Sequence, residues 1–315
     1  MIGEAIRGRR QGVVIHSKSS SPRDGGPDAV RGGGDPRYPR QTCGQSLKNL
    51  GIEALDVFCM SRVDPNVPIE DSVGGMAELV KEGKTRFISL SESSAESLKR
   101  GSAVHPLVSL QMEYSLFSRD AEEQGQIDAC GELGMAMMAY AVLGRGMLSD
   151  QVPKVEELAA DDVRHRLPRF QTVNIEKNLG LRSTLETIAR RKNTTLAQLS
   201  IAWPIAQGNR AGVFVVPIPG AKSLKHIEEN VRAADLMLTA ELGPGKSVIR
   251  PPKRCVLRPS GSTARSYFPP LRGTYIKFSD QNFLPMRDSR PCVIRQQLGI
   301  RFARHTFSRC ICPSG

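Results

Sequence analysis

Several things are scarce in this chain of 315 residues, and each scarcity excludes something. No stretch approaches the roughly 18 consecutive apolar residues of a membrane-spanning helix, so that class is excluded. The first ten residues, Met1 to Arg10, contain no apolar core, so they are not read as a secretory signal. Cysteine is sparse: seven residues, an odd number without the close spacing of a disulfide framework. That pattern fits free thiols in a reducing compartment, and the expected location is cytoplasmic. Cys255, Cys292, Cys310 and Cys312 lack the paired spacing of a zinc site, so no metal is expected.

Acidic residues are scarce in one region only. Residues 243–315 hold 14 Lys and Arg against Asp280 and Asp288, and so carry the whole net charge of +12. Before them, 30 basic and 30 acidic residues balance. The first 242 residues therefore read as a neutral soluble domain followed by a basic tail. The tail holds nine of the 21 prolines and sustains neither a helical nor a strand period. Three readings of it stay open: a disordered basic arm, a small domain, or a non-homologous extension from an altered reading frame. It has no nucleic-acid reading motif and no regular aromatic platform, so nucleic acid is not the expected partner.

Between residues 12 and 242, apolar β-branched runs alternate with longer amphipathic stretches. Strands are expected at Val13–Ser17, Leu55–Cys59, Phe87–Leu90, Leu107–Met112, Ala136–Ala141 and Val213–Val216. Helices are expected near Pro39–Leu50, Ile69–Glu82, Ala95–Ser102, Ala121–Leu133, Lys177–Lys192 and Leu196–Gln207, the last with Thr195 as its N-cap. Such alternation implies an α/β fold with a parallel sheet under covering helices. Ser19–Arg37 reads as an exposed loop, and Asp150–Val173 as a long functional loop.

The unit from Gly212 to Asn230 is the most specific. An apolar strand, a Pro-Ile-Pro-Gly turn and a helix opening beside Lys222, Ser223 and Lys225 suit an anion such as phosphate. The alternative is an ordinary strand–helix junction with a solvated basic face.

Five segments carry a resemblance: Arg62–Glu70, Ile88–Glu92, Gln111–Asp120, Tyr140–Gly146, and Pro217–Gly220 with Glu229-Asn230. Together and in order, they resemble the aldo/keto reductase family, nearest to the branch of fungal pyridoxal reductases. The resemblance covers residues 1 to about 242. It implies a (β/α)8 TIM barrel with its site at the C-terminal strand ends. It implies NADP as cofactor and a small-molecule carbonyl as substrate, reduced by hydride transfer from NADPH.

In the family a tyrosine donates the proton, aided by a lysine, an aspartate and usually a histidine. Lys18 matches the lysine. Ser61 stands at the histidine position. The aspartate and tyrosine positions precede Met1, so the resemblance implies an incomplete barrel lacking its first two β/α units. Catalytic competence is accordingly in question. A non-catalytic binding relative and a non-functional fragment stay open beside the enzyme. On the cofactor side, Ser91 and Gln111 match positions that bind the nicotinamide carboxamide, and Glu92 replaces a common asparagine. Tyr140 matches the ring that stacks on nicotinamide. Leu143, Gly144, Arg145 and Gly146 match the pyrophosphate loop. Lys222 and His226 match the 2′-phosphate end, with His226 in place of an arginine fork. Glu229 and Asn230 match the adenine-contacting pair.

Overall fold

The structure, a computed structural model, describes residues 1–19, 37–152, 154–238 and 274–276. Most of the expected loop at 19–37, and the tail apart from three residues, lie outside the described residues. So do the four tail cysteines.

Six parallel strands build one sheet: β1 (Val14–Lys18), β2 (Leu55–Met60), β3 (Thr85–Ser91), β4 (Leu107–Glu113), β5 (Ala136–Tyr140) and β6 (Val215–Pro217). They neighbour one another in chain order, as successive β/α units do. The sheet curls as part of a (β/α)8 barrel, and six strands match the incomplete barrel expected. A seventh strand, β7 (Thr274–Ile276), pairs antiparallel with β1. The tail therefore supplies a strand where none was expected. Thr-Tyr-Ile are good strand formers, and the outer edge of β1 offers a row of backbone donors and acceptors.

The helices among the described residues are α1 (Ile2–Ala5), α2 (Arg37–Leu50), α3 (Ile69–Lys81), α4 (Ala95–Val104), α5 (Asp120–Glu123), α6 (Gln126–Glu132), α7 (Thr172–Arg191), α8 (Leu196–Ala211) and α9 (Leu224–Arg232). The helix expected over Ala121–Leu133 is two helices. Gly125 separates them at φ +77°, a conformation that ends a helix and that glycine adopts without a Cβ clash. The long loop expected over Asp150–Val173 is a series of single 3₁₀ turns leading into α7, which begins at Thr172. Thr195 does cap α8, in a reciprocal capping box with Gln198. That helix runs through Pro204. The missing backbone bond costs about 3 kcal/mol, and burial of Leu196, Leu199, Ile201 and Trp203 around it outweighs that cost.

Strand alternation divides the sheet into two unlike faces. Ile15, Phe58, Met60, Ile88, Leu90, Leu110 and Met137 share one face and join the core with Met76 and Leu79 of α3 and Leu98 of α4. The other face carries His16, Lys18, Cys59, Ser89, Ser91, Gln111 and Tyr140. Register confirms the grouping: Lys18 pairs with Cys59, Cys59 with Ser89, Ser91 with Gln111, and Gln111 with Met138. At the opposite strand ends, Asp56 accepts from the Ile15 amide at 2.7 Å and pairs with Arg10 at 2.9 Å, tying the N-terminal turn to the sheet.

One close approach fixes how α8 sits on the sheet. A Cβ at Gly208 would lie 2.6 Å from the Val213 carbonyl oxygen and 2.3 Å from Val215 Cγ2. In an exposed helix, glycine to alanine stabilises by roughly 1 kcal/mol. Here the backbone carbonyl cannot yield, so Gly208→Ala is expected to destabilise by about 1–3 kcal/mol. The urea midpoint of the two proteins checks this; a midpoint raised by the substitution contradicts the packing argument.

Candidate functional site

The residues on the polar face meet at the C-terminal strand ends. Lys18, the last residue of β1, donates from Nζ to Ser91 Oγ at 3.2 Å. Burial lowers the Lys18 pKa, and Arg62 lowers it further, while Cys59 and Glu92 partly restore the charge. Ser91 is fully buried, and Gln111 is 4% exposed. No hydrogen bond joins the Gln111 side-chain amide to another described residue.

Just past β3, Glu92 has φ +53°, a left-handed backbone that Asn adopts more readily than Glu. Its carboxylate accepts from the Tyr140 hydroxyl at 2.7 Å and from the Glu113 amide at 2.9 Å. Its own amide donates to the Gln111 carbonyl at 2.9 Å. Tyr140 is half-buried. Burial, then the carboxylates of Glu92 and Glu113, raise its pKa above the ordinary phenol.

Ser61 does not offer its hydroxyl to the site. It donates to the Ser19 carbonyl, and the Ser61 amide donates back to Ser19 Oγ at 3.2 Å.

The loop Leu143–Gly146 comes after β5. Ala141 and Arg145 both take left-handed backbone, at φ 52° and 59°. The amides of Gly144, Gly146, Met147 and Leu148 close turns within the loop, so most donors are already used internally. Arg182 of α7 braces the chain from Met147 to Asp150, donating to the carbonyls of Met147 at 3.0 Å, Ser149 at 2.7 Å and Asp150 at 3.3 Å. Arg169 fastens the next excursion to the end of β4 by pairing with Glu113; Ser118 joins both, donating to Glu113 at 2.9 Å. Burial would raise the Glu113 carboxyl, but Arg169 and Arg145 together hold it below its ordinary value. Sequence reasoning missed Glu113, Arg169 and Arg182. A buried arginine leaves no periodic signal, and only its partner identifies it.

Beyond β6, Ser223 caps α9 by accepting from the His226 amide at 3.3 Å. Lys222 and His226 are exposed, and Asn230 is half-buried. Glu229 has a structural partner: Thr195, the cap of α8, donates to it at 2.6 Å. The structure thus joins Lys18, Ser91, Gln111 and Tyr140 in one set and places Lys222, His226, Glu229 and Asn230 apart from them, on and just before α9.

The model of the aldo/keto reductase family matches residues 1–242. The chain belongs to the aldo/keto reductase family. It is 40% identical over 245 residues to the aldo-keto reductase str7 of Strobilurus tenacellus, covering 76% of this chain and 70% of that protein. It is similar to the solved aldo-keto reductase of Klebsiella pneumoniae in complex with NADPH. That likeness has a TM-score of 0.60 and 25% identity, and covers 81% of this chain and 76% of that one. An aldo-keto reductase of Bacillus halodurans in its holo form, at 23% identity and TM-score 0.57, shares the fold over 76% of this chain and 73% of that one. Among the described residues, no helix is long and apolar enough to cross a membrane.

Beneath Lys18 in this aldo/keto reductase sheet lies a buried imidazole. His16 is 3% exposed, with Nδ1 2.8 Å from Met138 Sδ and Nε2 3.3 Å from Ser89 Oγ. Burial, with Lys18 nearby, depresses its pKa to about 3. The unfolded chain binds that proton near pH 6.5. Stability from the neutral ring is thus fully present above pH 6.5 and is lost as pH falls toward 3. His16→Gln is expected to flatten the stability curve across that window. Urea unfolding at several pH values spanning that window checks it; parallel curves for the two proteins count against a buried neutral ring.

Proposed function

We propose that this chain binds NADP(H) across its C-terminal strand ends and acts as an NADP-dependent aldo/keto reductase on a small aldehyde or ketone, with pyridoxal as the finer substrate reading. One observation carries the proposal: the Lys18–Ser91 contact lies beside a buried Gln111 whose amide has no described partner and a half-buried Tyr140 ring. A primary amide donates and accepts at once, and a hydroxyl does the same, so Gln111 and Ser91 fit a carboxamide. Ser91 and Gln111 would hold that group, and the Tyr140 ring would lie against the nicotinamide. Exposed Lys222 and His226 would meet the phosphate end, with the Leu143–Gly146 loop between. The Klebsiella pneumoniae relatives, solved with NADPH and with NADP and acetate, support the cofactor reading.

When bound, NADPH supplies a hydride to a carbonyl carbon. The chain's own part is to orient and to place charge. Lys18 sets positive charge at the strand ends, and Ser91 fixes the direction of its ammonium. Glu92 holds the Tyr140 hydroxyl, which limits rotation of that ring. Arg169 and Glu113 pin the excursion over β4.

A second reading, cofactor binding without turnover, is favoured by one specific observation. The site's tyrosine, Tyr140, already donates to Glu92, and its raised pKa makes it a poor acid.

Titration of the full chain with NADPH by calorimetry, followed by turnover of pyridoxal, separates the readings. Binding is expected, and Lys18→Met is expected to lower any turnover about a hundredfold or more. Binding with no turnover in the parent chain selects the second reading. Absence of NADPH binding sinks both.

A further inference from the structure

We propose that Glu92 is a specificity-determining residue that tilts the site toward the oxidised cofactor. The inference rests on the NADP(H) binding proposed above and concerns which redox form is held more tightly. The oxidised nicotinamide ring carries one more positive charge than the reduced ring. A carboxylate near the ring therefore favours the oxidised form, and it does so most where water is scarce.

Three features of Glu92 point this way. Its backbone is left-handed at φ +53°, where a glutamate is less at ease than an asparagine. Such a strained residue is kept only when its surroundings hold it. Its carboxylate is fixed by the Tyr140 hydroxyl at 2.7 Å and the Glu113 amide at 2.9 Å, so the charge is held at the ring-facing tyrosine. A carboxylate only accepts hydrogen bonds, so Glu92 cannot offer the N–H that an asparagine would offer a carboxamide oxygen.

The charges around it are not neutral bystanders. Lys18 and Arg62 are cationic, and both act on the same end of the sheet. Alone they would disfavour a positive ring. Glu113, the other carboxylate here, is committed to Arg169 and faces Arg145. Glu92 is therefore the acidic group that offsets Lys18 and Arg62 beside Tyr140.

A merely structural role makes a different forecast. If Glu92 were only a strut for Tyr140, its loss would weaken both redox forms equally. Calorimetric titration of the full chain with NADP+ and with NADPH, at one pH and one ionic strength, reads the ratio of the two dissociation constants. Glu92→Gln keeps both acceptor contacts and removes the charge. It is expected to shift the ratio against NADP+ on the order of tenfold, with NADPH affinity unchanged or improved. Glu92→Asn, which suits the left-handed backbone, is expected to shift the ratio in the same direction and keeps the test open should the first variant fold poorly. Both forms binding with an unchanged ratio in both variants overturns the proposal. Failure of the parent chain to bind either form overturns the NADP(H) reading instead.

Discussion

Register in the parallel sheet is the constraint on which the rest of this structure depends. Side chains alternate across a strand, and parallel partners share a face. Lys18, Cys59, Ser89, Ser91, Gln111 and Tyr140 come from five strands, yet they share one face because their registers agree. A slip of one residue in β1 would put Lys18 on the apolar face, among Phe58, Ile88 and Met76. The hydrophobic pattern that covers the outer face is therefore what aims the lysine. Packing energy and site geometry have a single origin here.

That arrangement concentrates charge in a place with little water. Lys18 is buried enough to lose part of its preference for the proton, and Glu113 would lose its preference for ionisation without two arginines beside it. The chain answers these charges with partners from nearby turns and from distant β/α units alike. Arg169 comes from the excursion after β5 and Ser118 from the turn after β4; Arg182 reaches the loop carbonyls from α7. The Arg169 and Arg182 contacts join segments that local structure alone would leave independent. Ordering of the strand ends is thus achieved by polar contacts, while the helix-covered side is ordered by apolar burial.

Much of this was legible in the sequence, for reasons that differ by element. The six parallel strands appear because β-branched and apolar runs are short-range signals, and Thr195 as a cap is a local hydrogen-bonding rule. Lys18, Ser91, Gln111 and Tyr140 could be named because they stand at fixed places in family motifs. What was not legible depends on distance along the chain. Tyr140 and Glu92 are 48 residues apart, and Arg169 and Glu113 are 56 apart. No periodicity encodes those pairs. The split of one expected helix at Gly125 was missed because its apolar pattern continues across the break. The tail strand β7 was missed because three residues are too few to show a period.

The two ends of the candidate cofactor site are ordered by different physics, and this bears on what the chain can do. The end proposed for nicotinamide is set by sheet register and a hydrogen-bonded chain from the Gln111 carbonyl through Glu92 to Tyr140. The end proposed for phosphate rests on α9 and the turn before it, where Lys222 and His226 are exposed and Thr195 bonds Glu229. Exposed charges in high dielectric contribute affinity that salt weakens, whereas buried groups contribute orientation that salt barely touches. Among the described residues, neither end supplies a ready phenolic acid. Tyr140 at the strand ends is held protonated chiefly by burial, and then by the carboxylates of Glu92 and Glu113, so the setting that positions the ring also suppresses its acidity. Ring positioning and proton donation cannot both be assigned to Tyr140.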